Sequence, residues 1–295
     1  RFGLAFEIPE AGSESARRAA LAKWLTHPDN ALTWRSIVNR VWHYHFGRGI
    51  VETPNDFGKM GAAPTHPELL DWLAVWFRDE AKGSLKALHK LIVMSATYRQ
   101  TSTPGEEARQ RAAAFDADNT LLWRQNRRRL EAEAIRDSIL AAAGKLDLTM
   151  GGPSFQDFVI EKPQHSPHYQ YHLADPEDPK IHRRSIYRFL VRSQQQPWMT
   201  VLDCADPSML VDRRTQTITP LQALAQLNNQ LCVAMAQHFA ARVAAGQGVD
   251  PLFRIALQRD PTAAERTELA RYAAQHGLAN ACRLVLNLNE FVFVD

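Results

Sequence analysis

The sequence predicts a mainly α-helical fold, and three observations carry that expectation. Apolar residues recur at three- and four-residue spacing through most of the chain, as helices with one buried stripe require. Ser or Thr stands where such stripes begin, with Gly or Pro where they end. Only Ser185 to Arg192 (SIYRFLVR) is dense enough in aromatic and β-branched residues to suit a short strand. With 295 residues and 45% apolar content, the chain can bury a sizeable core.

Residues 1–12 are expected as an extended lead-in or linker, with Pro9 and Gly12 as breakers, before a single helical domain over 13–295. Ser13 caps a first helix with Glu14 in its opening turn, running to Trp24 or Leu25. His27-Pro28-Asp29-Asn30 stops it, because the residue before a proline leaves the α region. A second helix spans about Ala31 to Phe46, burying Trp34, Ile37, Val38, Val41, Trp42 and His45. Gly47-Arg48-Gly49 ends it, a glycine being able to take the left-handed conformation of a C-terminal cap. Ile50 to Gly61 reads as irregular.

Thr65 with Glu68 predicts a capping box for a third helix, and Ser84 predicts the cap of a fourth, SLKALHKLIVMSATYRQ. Thr101 to Phe115 reads as loop with a short helix, and Leu121 to Ala143 as one long helix stopped by Gly144. A proline-rich irregular excursion follows over 146–180, long enough to suggest a function of its own. After the β element near 185–192, Thr219-Pro220 opens a strong helix through about Val243. Helices over Asp250–Gln258 and Pro261–His276, and one toward Glu290, close the chain.

Charge and cysteine usage exclude several classes. The net charge is +3, and of 35 basic residues only eight are Lys. Arg favours bidentate pairing with carboxylates, and with 32 acids present the chain reads as internally paired. No concentrated basic patch exists beyond Arg127-Arg128-Arg129, which argues against nucleic-acid binding. Cys204, Cys232 and Cys282 form neither a haem-attachment motif nor a zinc spacing, so no cofactor is expected within this chain. No apolar run reaches membrane-spanning length. The chain opens at Arg1 without Met or a leader, so it is expected to be a piece of something longer.

Four constellations carry chemistry. Asn39, Arg40, His43 and His45, followed by Asn55 and Asp56, would line a polar cleft. There Arg40 would bind an anion, His43 would act as acid or base with Asp56, and Asn39 and Asn55 would hold substrate. The alternative is a buried network holding the loop 47–61. Arg129, Glu131, Glu133, Arg136 and Asp137 make an alternating charged stripe; Glu133 and Asp137 could be paired catalytic carboxylates, or the stripe could be an Arg–carboxylate lattice. Asp203, Asp206, Asp212, Arg213 and Arg214 surround Cys204 in a loop, with Asp206 a catalytic candidate and Arg213 and Arg214 substrate-binding candidates. Cys204 itself reads as a buried small residue, since no base stands beside it in sequence. Finally, His165, His168, His172 and His182 lie among Tyr169 and Tyr171, where His168 and His172 would be metal ligands if the segment were helical; Pro163 and Pro167 argue against that.

Several long strings match one pattern together: LTWRSIVNRVWHYHFGRGIVETPNDFGKMGAAPTHPELLDWLA, NTLLWRQNRRRLEAEAIRDSIL, MGGPS, RRSIYRFLVR, LDCADPS, DRRTQTITPLQALAQLNN and LNLNEFVFVD. On these the chain resembles the planctomycete-type domain of unknown function fifteen-fifty-three, from about residue 17 to 295. The resemblance implies a secreted multidomain protein of Planctomycetes or Verrucomicrobia, in an extracytoplasmic setting. It also implies a preceding partner domain and a cytochrome c domain that would carry haem c, and a link to polysaccharide use. The function expected on this basis is a binding or scaffold module. The alternative is an enzyme acting on carbohydrate or a related extracellular polymer, through a cleft with Arg40, His43, Asp56 and the 203–214 loop.

Overall fold

Helices organise both halves of the chain, and strand pairing is confined to pieces of two or three residues. The computed structural model describes residues 13–162, 166–244 and 248–294. They divide into two compact units, one reaching to Arg128 and one covering Arg129–Val294. The structure is 52% helical and 5% strand, so the mainly α class is as expected. The lead-in over 1–12 lies outside the described residues.

The first unit is built on α1 (Glu14–Leu25), α2 (Ala31–Phe46), α3 (Pro67–Asp79), α4 (Leu85–Met94) and α5 (Glu106–Phe115). Ser13 Oγ accepts from Ala16 N–H and opens α1, while Asn30 Oδ1 accepts from Thr33 N–H at 3.2 Å and opens α2. Val38, Val41, Trp42 and Phe46 of α2 meet Leu70, Leu73 and Phe77 of α3 in one core, closed by Leu88 and Ile92 of α4. Trp42 and Phe46 stack with centroids 4.3 Å apart. Each fully buried side chain of this kind contributes roughly 1.5–3 kcal/mol. The Arg35–Asp71 ion pair at 2.5 Å is partly exposed and contributes about 0–1 kcal/mol, so packing decides how α2 and α3 dock.

The second unit contains α6 (Ala132–Ala142), α7 (Pro197–Val201), α8 (Pro220–Asn228), α9 (Gln230–Val243), α10 (Asp250–Ala256), α11 (Ala263–His276), α12 (Leu278–Leu286) and α13 (Asn289–Val292). Ile135, Ile139 and Leu140 of α6 pack with Met235 and Phe239 of α9, Leu252 of α10 and Cys282 and Val285 of α12. Two complete capping boxes start helices here: Thr219 with Gln222 for α8, and Thr262 with Glu265 for α11.

Three expected elements differ, each because side chains compete for backbone groups. The long helix over 121–143 is reduced to α6. Asp116 carboxylate oxygens accept from Thr120 and Leu121 N–H at 2.8 and 2.7 Å, and Asn119 and Leu122 take left-handed φ of 54° and 55°. The helix from Thr219 to Val243 is split by Asn229, which is extended and whose Oδ1 accepts from Leu231 N–H at 2.9 Å. The fourth helix ends at Met94, because Ser95 Oγ donates to Ile92 O and accepts from Tyr98 N–H. Thr65 does not cap α3 either. His66 holds that position, and Thr65 instead donates its N–H and hydroxyl to Ile50 O at 2.9 and 3.3 Å.

The β element expected near 185–192 is also displaced. Ser185–Tyr187 forms a 3-10 turn, and only one isolated bridge, Phe155 with Arg188, pairs there. The regular ladder lies inside the 146–180 excursion instead, an antiparallel pair of Val159–Glu161 with His168–Gln170. Polar side chains of α6 replace the missing ladder. Arg136, 2% exposed, donates to Arg183 O at 3.0 Å and to Ile181 O, and Asp137 accepts from Ser185 N–H at 2.9 Å.

Candidate functional site

In the first unit the turn after α2 is made by Gly47, at φ 77° with its N–H donating to His43 O at 2.8 Å. The chain then folds back so that Asn39, 0% exposed, meets the Val51 peptide with both ends of its amide. Val51 N–H donates to Asn39 Oδ1 at 2.8 Å, and Asn39 Nδ2 donates to Val51 O at 2.9 Å. This is a clamp on the loop, fully enclosed. Gly49 is required beside it, since a Cβ there would lie 2.5 Å from Val51 O.

Further along the loop, Arg40 Nη2 donates to Asn55 Oδ1 at 2.5 Å. Thr53 Oγ1 donates to Asp56 O at 2.7 Å, and Asp56 Oδ1 accepts from Gly58 N–H at 2.8 Å. Arg40, Asn55 and Asp56 are thus brought to one loop, Asp56 shaping a turn two residues long. His43 sits half-buried on α2, its ring edge-on to Tyr44 at 5.8 Å.

His45 has a partner that the sequence does not announce. Its Nε2 lies 2.7 Å from His89 Nδ1 of α4, and Tyr98 stacks edge-on at 5.3 Å. Burial first, then the neighbouring His89 and Arg128, hold the His45 imidazole below its ordinary pKa. Forty-four residues separate the two histidines, so only the α2–α4 packing brings them together.

In the second unit the charged stripe and the 203–222 segment form one lattice. Arg214 donates to both Glu133 oxygens, at 2.7 and 2.9 Å, and lies 3.7 Å from Glu131. Burial raises the Glu133 carboxyl, but the Arg214 bonds outweigh it and leave the group below its usual value. Cys204 Sγ points at Glu133 Oε1 from 3.5 Å. Burial, then the Glu133 charge, push the thiol up to about 11, so it is protonated near neutrality and no nucleophile. Asp203, at φ 64°, accepts from Thr217 N–H at 2.7 Å and from Gln222 Nε2 at 2.9 Å, with Arg129 at 3.7 Å. Asp206 accepts from Ser208 N–H and Oγ, at 2.8 and 2.7 Å, and these bonds lower its carboxyl pKa. Arg213 donates its N–H to Asp212 Oδ1 at 2.8 Å.

The histidine-rich stretch is not helical. His168 is exposed on the short strand, and His172 lies in the 3-10 turn Tyr171–Leu173, so the spacing that would stack them as ligands is not formed. His182 is buried with Nε2 2.8 Å from Pro176 O. His165 and Pro163 lie outside the described residues. Among the described residues no group of three or more His, Cys, Asp or Glu is arranged to hold a metal ion. The Gly151-Gly152-Pro153 turn is stapled by Arg183, which donates to Pro153 O at 2.6 Å and stacks 4.0 Å from the Tyr187 ring.

A groove of about 550 Å³ also opens in the second unit, within the ordinary size of ligand sites. Its floor is apolar, from Leu130, Ile255 and Phe291, and its polar lining includes Arg242 and Arg254. Sequence patterning gives no signal for it, because its residues come from four separate helices and the segment before α6. No acid, imidazole or thiol lines it.

No curated protein and no solved structure matches this chain. No helix among the described residues is long and apolar enough to cross a membrane. A family model described as PSD1, protein of unknown function (DUF1553), matches residues 17–273. Spanning most of its length, that match places the chain in the DUF1553 family.

Proposed function

We propose that this chain is a binding or scaffold module of an extracytoplasmic, cytochrome-c-associated system. It would dock the preceding partner domain and the cytochrome c domain of the same protein, with polysaccharide as a further ligand. Haem c would sit on that preceding domain, since this chain has no Cys-x-x-Cys-His motif. The observation that carries the reading is the groove at Arg242 and Arg254, which offers an apolar floor and two arginines, Arg254 paired to Asp260 at 2.5 Å, and is lined by no group for proton transfer or nucleophilic attack. The carboxylates elsewhere in this unit support it. Glu133 and Asp203 are held by Arg214, Thr217 and Gln222, as a framework requires.

Calorimetric titration of this chain with the separately produced preceding region tests the reading. Saturable binding is expected, weakened at least tenfold by Arg254→Glu. Absence of binding at roughly 100 μM, a concentration that still detects weak complexes, would overturn it.

A second reading, an enzyme acting on carbohydrate, rests on the Arg40–Asn55 bond, which ties a guanidinium from the helix of His43 to the residue preceding Asp56. In that reading Arg40 and Asn55 bind substrate, and His43 and Asp56 move the proton, all within the first unit. Turnover on a panel of polysaccharides, abolished by His43→Ala with the fold intact, would establish it.

A further inference from the structure

A pocket of about 120 Å³ opens in the first unit, between the N-terminal half of α3, Arg35 of α2 and the loop that follows α2. Its walls are apolar, from Val51, Phe57, Pro64 and Leu70, and one charged pair, Arg35 with Asp71, stands among them. Hydrogen bonds fix these walls before any ligand arrives. Asn39 holds the Val51 peptide, Ala62 N–H donates to Thr53 Oγ1 at 2.9 Å, and Thr65 N–H donates to Ile50 O at 2.9 Å. The charged pair is only half used. Asp71 Oδ1 lies 2.5 Å from both Nε and Nη2 of Arg35, and among the described residues nothing bonds Asp71 Oδ2 or Arg35 Nη1. The Arg35 and Asp71 side chains are 34% and 51% exposed, so a ligand can reach both.

We propose that this pocket binds a free apolar α-amino acid of about leucine size. Its ammonium donates to Asp71 Oδ2, its carboxylate accepts from Arg35 Nη1, and its side chain lies against the apolar walls. Charge decides the class. A lone carboxylate that turned to Arg35 would meet the Asp71 charge, and a lone cation at Asp71 would meet the Arg35 charge. A neutral apolar molecule gains burial alone. A zwitterion completes both unused ends, with each of its charges beside the opposite one.

Size narrows the class further. One water takes about 10–15 Å³ of such space, so the pocket holds roughly eight to twelve water-sized groups. Leucine, with nine non-hydrogen atoms, fits that space; glycine leaves the apolar walls bare, and tryptophan overfills them. A peptide end is a poorer match, because it carries only one of the two charges beside its side chain. Partly exposed ion pairs add little to stability, so either charge can be removed without unfolding the unit. The pocket belongs to the first unit and the groove at Arg242 and Arg254 to the second, so the assignment stands whether or not that groove binds a partner.

Calorimetric titration of the whole chain with L-leucine tests the proposal, with N-acetyl-L-leucine, L-leucinamide and glycine as comparison ligands. Saturable leucine binding is expected, with a dissociation constant of roughly 0.1 mM, as befits a ligand of that size. The two capped forms each lack one charge and should bind at least tenfold more weakly, and glycine should not saturate. Arg35→Gln should weaken leucine at least tenfold yet leave leucinamide, which has no carboxylate, unchanged. Asp71→Asn should likewise weaken leucine and spare N-acetyl-L-leucine, which has no ammonium. Urea midpoints of both variants should stay near that of the wild type, which separates lost contacts from a lost fold. Absence of leucine binding at about 10 mM overturns the proposal. So does equal affinity for leucine and its capped forms, the behaviour of a merely apolar pocket. If a variant does not fold, the comparison of leucine with its capped forms on the wild type decides.

Discussion

His45 Nε2 and His89 Nδ1 lie 2.7 Å apart, one ring on α2 and the other on α4, with the Arg128 charge close enough to oppose protonation. One nitrogen of the pair donates and the other accepts, so the contact is complete when the pair is neutral. A second positive charge would break it.

Stability is therefore expected to fall with acid. The native His45 binds its proton less readily than the unfolded chain, whose imidazoles titrate near 6.5. Below that pH the unfolded state takes up more protons, so the stability is full above about 6.5 and is lost as pH falls through it toward the lower native value. Urea midpoints between pH 8 and pH 5 should show this, and His45→Gln should flatten the dependence. An unchanged slope in that variant would assign the effect to other groups.

Asn39→Ala removes both bonds to the Val51 peptide and leaves its N–H and C=O buried without partners. A loss of about 2–4 kcal/mol is expected from two unmet buried groups. Asn39→Asp should cost as much or more, since it places a charge against Val51 O. Denaturant unfolding measures both; a loss below about 0.5 kcal/mol would mean that Asn39 does not hold the loop.

Cys204 should resist alkylation. With its pKa pushed up to about 11, its thiolate fraction at pH 8 is roughly a hundredfold below that of an ordinary thiol. Glu133→Gln removes the charge beside Sγ and should speed iodoacetamide labelling, read by mass spectrometry of the Cys204 peptide. Labelling of native Cys204 at the rate of a free thiol would contradict the contact.

Gly47→Ala should destabilise by about 1–2 kcal/mol, the cost of a Cβ in the left-handed region. The new methyl would also lie 2.8 Å from Arg128 Cδ, a flexible group that can move aside. A purely conformational cost would leave Arg128→Ala additive with it; a double-mutant cycle separates the two.

Much of the helix plan was readable from local chemistry. Ser13, Ser84 and Thr219 cap where their spacing to the apolar stripe says they should, and Gly47 closes α2, because caps act within four residues. The errors also had local causes that patterning hides. Asp116, Asn119, Ser95 and Asn229 each offered a side-chain bond to the backbone, and in each case it won over continued helix. The apolar period of 121–131 alone could not reveal that competition.

The sites divide differently. The residues with chemistry to offer, among them Asn39, Arg40, Glu133, Asp203 and Arg214, stand out from composition and position alone, and so does the family to which the chain belongs. Which of them are engaged in the framework was decided only by folding, because the partners lie far along the chain. Glu133 meets Arg214 across 81 residues, and Asp137 meets Ser185 across 48. Local propensity acts over a turn or two of backbone, whereas hydrogen bonds and packing act over a few ångströms of space. Tertiary structure alone brings those two scales together.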